Sequence, residues 1–86
     1  MTTSSEFHQF VENLKEKAAE QEERQLWMAL HDALNLGSSG LEIVGAIRWI
    51  LLENEPLVRR LLGGDPQGQL NAAISFVDRA YGRSYS

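Results

Sequence analysis

Apolar residues recur at three- and four-residue spacing along five stretches of the chain, and no window alternates convincingly at period two. Phe7, Phe10, Val11, Leu14 and Ala18 make the first stripe, and Thr3 with Glu6 ahead of it reads as a capping box that starts a helix near residue 4. Continuing that stripe leads to Gln21, Glu22 and Gln25, all polar. Apolar positions resume at Leu26, Trp27, Leu30, Ala33 and Leu34, on a face rotated by about a third of a turn or more. The intervening "LKEKAAEQEERQ" is rich in strong helix formers and holds a favourable Glu20–Arg24 pair. The spacing therefore predicts one helix over residues 4–35, with Gly37 as its C′ glycine.

That length conflicts with the size of the domain. Such a helix spans about 48 Å, whereas a compact chain of this size has a radius of gyration of about 12 Å and is roughly 30 Å across. Either the helix breaks near residues 19–24, or residues 1–20 project as an arm whose phenylalanines need a partner.

A second capping box, Ser39 to Glu42, opens a helix that runs to about Asn54. Glu42, Gly45 and Arg48 form its only non-apolar strip, while Ile43, Val44, Ile47, Trp49, Ile50, Leu51 and Leu52 occupy the rest. A helix this apolar is expected at the centre of a bundle. Pro56 then suits the first turn of a short helix carrying Leu57, Val58, Leu61 and Leu62, which Gly63-Gly64 ends. Asp65 and Pro66 start a last helix with Leu70, Ala73, Ile74, Val77 and Tyr81, ending at Gly82, and residues 83–86 are expected to fray. The expectation is all-α: one domain over residues 1–86, a four- to five-helix bundle with a long N-terminal helix and a central apolar helix. Residues 26–34 and the last helix should cover that central helix.

Composition narrows the functional classes. Apolar residues at 43% and charged residues at 23% are ordinary globular values. The absence of cysteine removes disulfides and thiolate metal sites and fits a reducing compartment, the cytoplasm. The N-terminus lacks the basic and apolar regions of a secretory signal. Residues 41–52 are too few for a bilayer that needs about 20. A net charge of −4 argues against nucleic acid and anionic membrane as partners.

Chemistry is sparse. His8 and His31 lie 23 residues apart, outside any HExxH arrangement, so no metal site is expected. Glu53 and Glu55 flank Asn54, where Asn54 or Glu55 is expected to cap the next helix. "GGDPQGQ" lacks the GK[ST] ending of a phosphate loop. No nucleophile–base pair can be assembled, so neither an enzyme nor a cofactor is expected. Arg59 and Arg60, the densest positive charge, could meet a partner's carboxylates or simply form a solvated face.

"LGSSGLEIV", residues 36–44, resembles the LGxDSLxxV segment that begins the second helix of acyl carrier proteins, and "NAAISFV", residues 71–77, resembles their last helix. The resemblance covers about half of the chain and implies a phosphopantetheine arm on a serine. Gly40 stands where those carriers have that serine and Ser39 where they have aspartate, so Ser38 or Ser39 could carry the arm only in a shifted register.

Two functions follow as expectations. The first is a small non-catalytic helical protein–protein interaction module, a homodimer or an accessory subunit. Phe7, Phe10, Val11 and Leu14, at i, i+3, i+4 and i+7 spacing, would anchor it together with Trp49, Ile50, Arg59 and Arg60. The alternative is an acyl-carrier-like or small apolar-ligand-binding protein with a degenerate attachment motif at Ser38 or Ser39, in which Trp27 and Trp49 line the pocket.

Overall fold

The computed structural model describes the backbone of residues 1–37 and 39–85, with side chains as far as residue 82. It contains five helices: α1 (Ser4–Glu20), α2 (Arg24–Leu36), α3 (Gly40–Glu53), α4 (Glu55–Leu62) and α5 (Pro66–Tyr85). The described residues contain no strand. The fold is an all-α five-helix bundle.

The start of α1 follows its sequence signal. The Thr3 hydroxyl accepts the Glu6 N–H at 3.2 Å, and the Glu6 carboxylate accepts the Thr3 N–H at 3.1 Å. The same carboxylate also receives the Thr2 N–H and hydroxyl.

The continuous helix over residues 4–35 does not form. The chain turns at residues 21–23, where Glu22 takes a left-handed φ of 59°. The Glu22 N–H bonds to the Ala19 carbonyl at 3.1 Å and the Glu23 N–H to the Ala18 carbonyl at 2.8 Å. These are the two bonds of a Schellman ending, with glutamate at the position that glycine usually holds. A left-handed residue with a Cβ costs about 1–2 kcal/mol. The turn offsets that cost by bringing two rotated apolar faces onto one core. It also keeps the molecule within 40 × 28 × 21 Å, at a radius of gyration of 12.2 Å. Nor does residues 1–20 project as an arm, since α1 packs against α2, α4 and α5.

Polar side chains tie the short elements down. Glu23 stands at the N-cap of α2 without a capping bond, and its carboxylate instead accepts from Arg60 of α4 at 2.8 Å. The Lys17 ammonium donates to the Leu62 carbonyl at the end of α4, at 3.1 Å. The Asn54 side chain donates back to the Ile50 carbonyl at 2.9 Å, so it closes the end of α3 instead of capping the start of α4. Gly37 is not a left-handed C′ residue: its φ is −68°, and glycine is needed because a side chain there would collide with Ile43. At the last helix, Asp65 accepts the Gly68 N–H at 3.1 Å, the expected N-cap. The helix then continues through Gly82 to Tyr85, so residues 83–85 extend it, and residue 86 lies outside the described residues. A helical glycine costs only about 0.5–1 kcal/mol relative to alanine, too little to end a helix by itself.

Each helix gives one face to a shared core. Leu14, Leu30, Ile47, Leu51, Val11, Val58 and Val77 are its largest wholly enclosed side chains, and no polar side chain is buried among the described residues. The apolar helix α3 packs against α2, α4 and α5 and leaves its remaining side open.

Candidate functional site

The open side of α3 is the most unusual surface of the molecule. Residues Ile47, Ile50 and Leu51 fill the inward face of this helix. At about 100° per residue, Leu41, Trp49 and Leu52 fall on the opposite half of the wheel. Their exposures agree: 37% for Leu41, 64% for Trp49 and 44% for Leu52.

Two members of the polar strip, Gly45 and Arg48, share this outward half of the wheel but are engaged by α5. The Arg48 guanidinium donates to Asp78 at 3.0 Å. The Tyr81 hydroxyl donates to the Leu41 carbonyl at 2.8 Å and passes over Gly45, where any side chain would collide with it. That close approach explains a glycine in mid-helix, where it otherwise weakens the helix by about 1 kcal/mol. With its hydrogen-bonding edge turned to α5, α3 shows apolar side chains to the outside.

The expected anchors are distributed differently. Phe7, at 3% exposure, and Phe10, Val11 and Leu14 lie in the core and offer a partner nothing in this conformation. Ile50 is likewise buried. Trp49 alone of the apolar candidates faces outward. Both arginines already hold carboxylates within the chain: Arg59 reaches Glu55 and Arg60 reaches Glu23, each at 2.8 Å. Ser39 is the N-cap of α3, its hydroxyl accepting the Glu42 N–H at 3.2 Å, and residue 38 lies outside the described residues. No protein-family model, no curated protein and no solved structure matches the chain.

The titratable residues form local pairs. His31 stacks on Trp27 with ring centroids 4.7 Å apart and planes 10° from parallel. The Lys15 ammonium lies 3.2 Å from His31 Nδ1 and 5.4 Å from the Trp27 ring centre. An ammonium can only donate, so His31 Nδ1 is the acceptor in this contact. The stacked pair lies within α2, and Lys15 of α1 pins the two helices together through its contacts with His31 and the Trp27 ring. His8 sits beside Glu12 at 3.6 Å on the exposed side of α1. Hydrogen bonds from the Thr2 hydroxyl and N–H, with those of Thr3, hold the Glu6 carboxyl below its ordinary pKa. Among the described residues no three His, Cys, Asp or Glu side chains converge on a point that could hold a metal, and no helix is long and apolar enough to cross a membrane.

Leu41 and Leu52 were not singled out by sequence reasoning, nor were Met28 and Leu36 of α2, which are 56% and 79% exposed. A signal existed for α3: a helix apolar over two-thirds of its girth cannot hide all of it against neighbours. Which third stays outside depends on where α5 lies, and Gly45 was the only hint of that.

Proposed function

We propose that this protein is a small non-catalytic interaction module of the cytoplasm that docks protein on the outer face of α3, and that the docked protein is a second copy of the chain. The observation that carries the reading is Trp49, exposed by 64% between Leu52 and Leu41. Tryptophan dominates binding energy at protein interfaces because a large rigid surface is buried at small entropic cost. Helical spacing puts the exposed Glu42 and Glu53 on the same side of α3 as Trp49, where they could form a polar rim. Two copies of α3 crossing about a two-fold axis would set each tryptophan against the other's leucines, an isologous contact. Fully burying a large apolar side chain contributes about 1.5–3 kcal/mol, so two tryptophans with four leucines can hold a dimer against its association cost.

Equilibrium sedimentation over a micromolar concentration series tests this. The wild type should show a reversible dimer, and Trp49→Ala should be a folded monomer at every concentration. A wild type that stays monomeric throughout, or a Trp49→Ala protein that dimerises as well as the wild type, defeats the reading.

A further inference from the structure

Among the described residues Glu22 is the only non-glycine with a left-handed φ, and it lies in the three-residue link between α1 and α2. We infer that this link is a hinge through which two copies of the chain exchange α1. In the exchanged form residues 4–35 run as one helix, and each α1 packs onto the other copy's α2, α4 and α5. The inference does not rest on the Trp49 contact, because the surface exchanged is the one that each monomer already buries within itself.

Three observations support it. The closed turn holds Glu22 in a conformation that disfavours any residue with a Cβ. The straight alternative suits the letters better: Gln21, Glu22 and Glu23 are good helix formers, and only a continuous helix sets Glu20 against Arg24 at i, i+4. Finally, the contacts that hold α1 in place can all re-form between copies. The Lys17 ammonium donates to the Leu62 carbonyl at 3.1 Å and the Lys15 ammonium lies 3.2 Å from His31 Nδ1, and neither pair includes a hinge residue.

The chemistry of α1 selects the occupant. Phe7, Phe10, Val11, Leu14 and Ala18 are buried, so an opened α1 must cover them again. The surface shaped to receive that stripe is the one α1 packs on, formed by α2, α4 and α5, and an identical chain supplies it. Strain in a short link favours exchange. Tethering favours the closed monomer, at an effective concentration on the order of millimolar. The monomer therefore prevails in dilute solution, and exchange takes place when chains fold together at comparable concentration. Once folded, the two forms interconvert slowly, since α1 must leave a closed core.

The test uses the full chain carrying Trp49→Ala, which removes the other contact, with Lys15→Cys and His31→Cys added. The sequence has no cysteine, so these are its only thiols, and the side chains they replace meet between α1 and α2. Each protein is unfolded, refolded at about 1 mM chain and sized after dilution to micromolar. High salt during refolding screens the glutamates that the two hinges bring together. Glu22→Val, which worsens the left-handed turn, should raise the ratio of dimer to monomer about tenfold over the parent. Glu22→Gly, which suits the turn and weakens the helix, should lower it about tenfold. In the dimer a short bis-maleimide should join cysteines of different chains, seen as a covalent dimer on a denaturing gel, and in the monomer those of one chain. Should Glu22→Val fail to fold, Glu22→Ala, which keeps the Cβ and strengthens the helix, takes its place in the comparison. The inference is overturned if Glu22→Gly dimerises as much as that variant, if no protein leaves a slowly dissociating dimer, or if the dimer is joined only within chains. None of these results bears on Trp49, whose contact is read from the native protein in a dilution series.

Discussion

The apolar stripe of α1 and the outer face of α3 look alike as sequence and fare oppositely in the fold. Each carries aromatic and aliphatic residues at helical spacing, and each reads as more than one small chain can hide. The α1 stripe disappears into the interior, with Phe7 3% exposed and Leu14 fully enclosed, while Trp49 remains 64% exposed. The difference lies in connection, not in hydrophobicity. The turn at residues 21–23 folds α1 onto its own bundle, whereas α3, flanked by three helices, keeps Leu41, Trp49 and Leu52 uncovered by any described element. Apolar surplus therefore becomes a candidate binding face where the bundle's own packing leaves a helix side uncovered.

The sharpest way to break this contrast is truncation on each side of it. Leu14→Ala should lower unfolding stability by about 2–5 kcal/mol, because a cavity opens in a closed core. Trp49→Ala should leave the stability of the monomer within about 0.5 kcal/mol of wild type, as exposed positions do, while removing association. Denaturant titration at a concentration below dimerisation separates the two. Equal losses would mean that Trp49 belongs to the core and that α3 has no free face.

A smaller effect probes what aims Trp49 outward. Gly45→Ala adds helix propensity worth about 1 kcal/mol, yet its methyl would collide with the Tyr81 hydroxyl. Overpacking of this kind costs about 1–3 kcal/mol, so the net result should be destabilising. Tyr81→Phe removes the clashing oxygen and the bond to the Leu41 carbonyl, so the double variant should be more stable than the two single losses added together. Simple additivity in thermal melts would show that Tyr81 does not fix the docking of α5 on α3.

Most of the fold was legible in the letters because its signals are local. Thr3 with Glu6, Ser39 with Glu42, and Asp65 with Pro66 mark helix starts that the structure keeps, and the core positions follow the helical spacing. What was not legible depends on encounters between distant segments. Asn54 turns backward to Ile50, Gly37 yields to Ile43, and Arg60 finds Glu23 across the bundle. The candidate site was half visible for the same reason: Trp49 could be named, but whether Ile50 or Leu52 stood beside it outside depended on the placement of α5. The turn at Glu22 was hidden differently, since glutamate favours helices and carries no stop signal.

That turn supplies the third and smaller prediction. Glycine at residue 22 would adopt the left-handed φ of 59° without a Cβ penalty. The relief of about 1 kcal/mol is partly offset by the greater freedom of glycine in the unfolded chain, so Glu22→Gly should stabilise by about 0.5 kcal/mol. A destabilised Glu22→Gly protein in urea titration would indicate that residues 4–35 run as a continuous helix in solution. In that case α1 would leave the core, and the contrast with α3 would collapse.

The smallest effect concerns the first turn of α1, which the contrast requires to be held in place. Glu6 accepts bonds from Thr2 and Thr3, and its carboxyl is depressed below the ordinary 4.5 in the folded state. A depressed folded pKa means that ionisation favours the folded form. Its stabilisation is therefore complete above pH 4.5 and lost as pH falls through the lower folded value. Glu6→Gln keeps an acceptor but loses the charge, so its melting temperature should lie slightly below wild type at neutral pH. That gap should close on acidification, because a protonated Glu6 resembles the glutamine. A gap that stays constant from neutral to acid pH would show that charge contributes nothing to the cap, leaving the burial of Phe7 and Phe10 to hold α1 in the bundle.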